Sequence, residues 1–113
     1  MKRYHLLLIV IIFGILTSSC NFIAHKKAKD LFEEGLKYQK LGKFDEAIEL
    51  YTKSLELNPE FDEAYFHRGV AYANKREYQP AKKDFEKVIE LDSNSKRTAE
   101  TRKLLSVLEK MED

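Results

Sequence analysis

Few residues in this chain are of a type that could do chemistry. Cys20 is the single thiol, and the three histidines, His5, His25 and His67, lie far apart. No pair of histidines has metal-ligand spacing, and no second cysteine is present to complete a site or a disulfide. Glu33 and Glu34 are the best carboxylate pair, yet neighbours on a helix point in different directions. The chain has no glycine-rich phosphate loop and no serine in a nucleophile context. Neither catalysis nor a metal or organic cofactor is expected, and His67 reads as a surface or groove-rim residue. The one reactive group with a distinctive setting is Cys20, which ends an apolar stretch.

That stretch is the first element to place. Lys2 and Arg3 form a basic start, and Leu6 to Leu16 is apolar apart from Gly14. Eleven such residues fall short of the ~20 that span a bilayer core, which favours a signal peptide over residues 1–19. Leu16-Thr17-Ser18-Ser19-Cys20 resembles the lipobox of bacterial lipoproteins, with Ser19 as the small residue before the cysteine and Thr17 as a departure from the usual leucine. The resemblance implies a lipidated Cys20 as the first mature residue, followed by a short tether over 20–27, on the extracytoplasmic side of the cell envelope. Asn21 is not the aspartate that retains such proteins in the inner membrane, which leans toward the outer one. Fully extended, the tether reaches at most ~28 Å. Two other readings stand beside this one: an uncleaved signal anchor from Leu6 to Ala24, and Cys20 as a small hydrophobe at the end of an apolar segment.

The remainder is helical in pattern. Charged residues make up 35% of the chain but balance to +1, so a nucleic-acid partner is not expected. Aromatic content of 12% is too high for a disordered chain, and four glycines and two prolines are too few for a turn-rich sandwich. Gly35 recurs as Gly69, Tyr38 as Tyr72, Ala47 as Ala81, Tyr51 as Phe85 and Leu57 as Leu91, each after 34 residues. A fixed period of that size marks stacked helix pairs, which display a surface instead of enclosing a site. Gly42 and Asn58-Pro59 punctuate the first copy, and Pro80 fits the first turn of the fourth helix. Asp92 to Ser95 supplies caps for a last helix with Thr101, Leu104, Leu108 and Met111 on one face.

Residues 28–61 and 62–95 resemble two tetratricopeptide repeats. The first copy supplies Leu31, Gly35, Tyr38, Ala47, Tyr51 and Pro59, and the second Tyr65, Gly69, Tyr72, Ala81 and Phe85. The resemblance implies an all-α fold: a short α-solenoid of two helix-turn-helix repeats closed by a capping helix over 96–113. Phe61, Tyr65 and Tyr72 are expected to pack on the preceding pair. Four positions depart from the family pattern. Glu34 and Arg68 replace leucine, implying a more solvated slot; Arg76 replaces the turn glycine; Ser93 replaces the proline, as where an array ends.

In this family the first helix of each pair lines a concave groove for a peptide or a partner's helix. Carried over slot by slot, the groove candidates are Lys29, Phe32, Leu36, Gln39 and Lys40, then Glu63, Phe66, Val70, Ala73 and Asn74. Members that grip a chaperone's C-terminal carboxylate use Lys, Arg and Asn at such slots, whereas Phe, Leu and Val occupy the centre here. The expectation is a non-catalytic, membrane-tethered interaction module with an apolar groove for a protein or peptide. The same apolar slots also fit simple packing between neighbouring helices, and two repeats are few enough that self-association is a third reading.

Overall fold

The computed structural model describes residues 2–112, and in it the chain is a staircase of helices. In order these are α1 (Lys2–Lys40), α2 (Phe44–Leu57), α3 (Asp62–Asn74), α4 (Tyr78–Leu91) and α5 (Lys96–Met111). α1 pairs with α2 and α3 with α4, while α5 lies on α4. The stack is a short α-solenoid, and the N-terminal half of α1 projects from it, giving extents of 71 × 29 × 21 Å.

Both hairpins close in the same way. The helices cross where glycine lets them approach: a Cβ on Gly35 would lie 2.6 Å from Tyr51 Cε1, and one on Gly69 would lie 2.7 Å from Phe85 Cε1. The ring of the second helix thus occupies the space that the first helix vacates. Tyr51, Phe85, Ala47 and Ala81 are all but inaccessible as a result. Each turn is left-handed, with Lys43 N–H donating to Tyr38 C=O and Glu77 N–H to Tyr72 C=O. Gly42 has φ 72° and Arg76 has φ 61°. The second turn therefore keeps the left-handed geometry without a glycine, and Arg76 bears the steric cost.

The links between pairs also correspond. Asn58 Oδ1 accepts from Glu60 N–H at 3.3 Å, and Asp92 Oδ1 accepts from Asn94 N–H at 3.2 Å. An Asx turn thus forms at Ser93 despite the missing proline, and the chain passes through it into the closing helix α5. Ser95 caps that helix by accepting from Thr98 N–H at 3.2 Å.

Residues 20–27 are helical and continuous with α1, so they span about 12 Å, within the ~28 Å limit of an extended chain. One further expectation is corrected. Tyr72 packs within its own pair, against the cluster of Ala81, Phe85 and Leu108. Phe61 and Tyr65 do pack on the preceding cluster of Phe32, Ala47, Tyr51 and Leu55.

Candidate partner-binding groove

The apolar groove slots diverge between the two repeats. In the first, Phe32 is only 6% exposed, with Phe61 at 4.9 Å, His67 at 5.5 Å and Tyr51 at 5.7 Å between ring centroids. It is a core residue and not a groove contact, because α3 lies directly over it. Leu36 is half-buried against the same cluster. Gln39 is engaged as well, its Oε1 accepting from the Tyr51 hydroxyl at 2.6 Å. Lys29 and Lys40 are exposed, Lys29 lying 3.9 Å from Glu33.

The second repeat leaves more open. Val70, Ala73 and Asn74 line an apolar cleft of about 250 Å³ whose other walls are Tyr78, Phe85, Leu104, Val107, Leu108 and Met111. Phe66 is half-buried beside it, 6.0 Å from Phe85. Glu63 lies away from the cleft, held by Arg97 at 2.5 Å. Asn74 is exposed and donates to Val70 C=O at 2.8 Å.

Four α5 residues complete this surface: Leu104, Val107, Leu108 and Met111. The sequence pattern assigns the α5 stripe to packing only, and Val107 falls outside that stripe. The signal was present: α5 carries more apolar side chains than α4 can cover, so Val107 stays 51% exposed and Met111 57%. At the far end of the helix, Glu112 accepts from Lys82 and Gln79 of α4, which fixes α5 against its support.

The charged groups are mostly structural. Arg68, expected in a solvated slot, is instead 18% exposed and makes a two-pronged ion pair with Asp84, 6% exposed, at 2.7 and 2.8 Å. Its remaining nitrogen donates to Thr52 of the preceding repeat at 3.1 Å. Glu34, its counterpart, is exposed. His67 is not on a rim: it is half-buried among the rings of Phe32, Tyr51 and Phe66. Its Nδ1 is buried without a partner. Burial holds this imidazole below its ordinary pKa, opposed by Glu63 and Glu100 and assisted by Arg97. Burial also pushes the Tyr51 phenol up. Among the described residues, no three His, Cys, Asp or Glu side chains are grouped to hold a metal.

Comparison with known proteins agrees with this geometry. The family described as "TPR repeat" matches residues 35–75, and that described as "Tetratricopeptide repeat" matches residues 62–95. The chain belongs to the tetratricopeptide-repeat family. RNA polymerase II-associated protein 3 of Homo sapiens is 32% identical over 123 aligned residues, covering 78% of this chain and 18% of that protein. A TPR repeat-containing protein of Borreliella burgdorferi is 40% identical over 70 residues, covering 62% of this chain and 30% of the relative. The chain therefore spans less than a third of the length of either relative.

Among solved structures, the type III secretion translocator chaperone SycD of Yersinia enterocolitica matches with a TM-score of 0.72. It covers 91% of this chain and 81% of its own at 18% identity, a likeness of fold alone. The second TPR of Spaghetti (RPAP3), bound to the HSP90 peptide SRMEEVD, matches with a TM-score of 0.63 at 27% identity, covering 75% of this chain and 82% of that one.

Proposed function

We propose that this protein is a non-catalytic, membrane-tethered adaptor that captures a helix or extended segment of another protein. The observation that carries the reading is the apolar cleft between α3 and α5, where Val70, Ala73, Val107 and Met111 stay accessible on an otherwise well-packed stack. A related repeat domain holds a peptide of another protein, which supports peptide capture as the task. The chemistry of the segment differs from a carboxylate grip, because the slots that would hold cations carry Phe66 and Val70. Apolar side chains at i, i+3 or i+4 of a partner helix suit this surface.

The test is capture of crosslinked partners in native membranes by variants with Val70→Ser and Val107→Ser. Loss of capture with unchanged helicity and unfolding midpoint is expected, whereas undiminished capture would sink the cleft as the site. Phe32→Ser is not a clean probe, since that side chain is core.

The tether reading rests on the exposed apolar half of α1 and on Cys20, which is exposed at its end. α1 is also long and apolar enough to cross a membrane, a property it shares with signal sequences. The mass of membrane-extracted protein separates the two. A lipidated Cys20 at a new N-terminus supports the extracytoplasmic lipoprotein, and an intact Met1 with unmodified Cys20 supports the anchor helix.

A further inference from the structure

Where α1 leaves the folded stack, it carries a basic collar. Ala28 is fully buried, and its carbonyl accepts from Ser54 Oγ of α2 at 2.6 Å, so the stack begins there. Residues 3–23 are exposed, and the apolar character ends at Ala24. Between those limits stand His25, Lys26 and Lys27, with Lys29 just beyond, all exposed. At about 100° per residue these side chains point in several directions around the helix. The direction left between them is taken by Ala28, which faces α2.

Among the described residues, the ion pairs formed include neither Lys26 nor Lys27, and Lys29 has only a loose contact with Glu33 at 3.9 Å. Other cations outside these pairs, such as Lys37, Lys83 and Lys103, are spread along the stack, whereas the collar gathers three lysines at one height beside the apolar end of α1.

We infer that Lys26, Lys27 and Lys29 bind the phosphates of anionic lipid headgroups. The inference rests on the membrane-tether reading and adds a lipid preference to it. Height is the reason. α1 has no glycine or proline between Gly14 and Gly35 at which to bend. Lys29 therefore lies only about 8 Å along the axis from Ala24, within a Debye length of the point where the apolar segment ends. A tether of flexible chain would let these lysines drift into water, whereas a helix continuous with the core holds them at the headgroup layer. Asp30 and Glu33 on the next turn weaken the field on the side facing away from the membrane, so the attraction is strongest where the lysines meet the surface. Each lysine near an anionic surface favours association by roughly fivefold at moderate salt.

The chain has no tryptophan, so Ile23→Trp at an exposed position supplies a single donor and leaves Cys20 free to carry a lipid. The membrane-extracted protein bearing that tryptophan is reconstituted into phosphatidylcholine vesicles that also contain unlabelled phosphatidylglycerol. A trace of acceptor-labelled phosphatidylglycerol or of acceptor-labelled phosphatidylcholine is then added. The expected result is several-fold stronger transfer to the anionic acceptor, falling as salt is raised and lost in the triple variant Lys26→Gln, Lys27→Gln, Lys29→Gln. Equal transfer to both acceptors in the wild type overturns the inference, as does a preference that survives in the triple variant. No transfer to either acceptor removes the membrane reading and the collar with it. Circular dichroism keeps the comparison fair, because all three substitutions are on exposed positions of a helix.

Discussion

The two repeats share a template and solve its equivalent positions by different physics. In the first, Phe32 is sealed by Phe61 and His67, the slot of Glu34 is solvated, and the turn uses Gly42. In the second, Phe66 is half-open, Arg68 and Asp84 form an ion pair where the first repeat has Glu34 and Leu50, and the turn uses Arg76. The helices that cover each repeat account for much of the difference. A whole helix pair lies on the first, so its apolar slots become core. A single helix lies on the second, so part of the same apolar surface remains available as a cleft. Equal residues at equal slots therefore do unequal work, and the capping end of the stack is where binding becomes feasible.

The comparison can be broken most decisively at the paired phenylalanines. Phe32→Ala should cost about 3–5 kcal/mol, as for a fully packed aromatic, and Phe66→Ala about half of that. Equal losses in urea unfolding would mean that the repeats are covered alike. The next contrast is Asp84→Ala against Leu50→Ala. Removing Asp84 strands a mostly buried guanidinium and should cost about 3 kcal/mol, whereas truncating the half-exposed Leu50 should cost about 1 kcal/mol. A small loss at Asp84 would show that water reaches Arg68 freely.

The turns give a smaller contrast of opposite sign. Gly42→Ala places a side chain in left-handed backbone and should lose about 1 kcal/mol, while Arg76→Gly relieves the same strain and should gain a similar amount. Destabilisation by Arg76→Gly would mean that the arginine side chain contributes more than its backbone costs.

The smallest effect concerns His67, which belongs to the second repeat but sits on the first. Burial holds its folded pKa below the ordinary value near 6.5, so the unfolded chain takes up the proton first. Its contribution is complete above that value and is lost as pH falls from there through the lower folded pKa. His67→Leu should therefore lose less stability than wild type between about pH 7 and pH 5. An identical pH slope in both proteins would show that the ring cluster does not exclude the charged form.

Much of the architecture was legible from residues alone. The 34-residue spacing of Gly35, Ala47 and Tyr51 with Gly69, Ala81 and Phe85 prescribes the helix crossings, since only a glycine admits a ring at that distance. Caps and breaks at Gly42, Asn58-Pro59 and Ser95 follow local chemistry and so could be read locally. The groove was legible only in part. Val70, Ala73 and Asn74 do line the cleft, but Phe32 does not, and Val107 joins it from outside the α5 stripe. Arg76 also took a left-handed turn that its side chain disfavours, because the packing of α3 on α4 fixes where the chain must reverse.

Spacing and residue type are enough to set the period, the helix pairs, the turns between most of them and the apolar character of the groove slots. Their influence acts over a few turns of helix, so it can be read along the chain. Packing in three dimensions settled which apolar slots became core and which stayed open, that Arg68 faces Asp84, and that α1 runs unbroken from its apolar half into the stack. Those outcomes depend on which surface lies against which, and burial is a property of the neighbours a side chain acquires, not of the side chain itself.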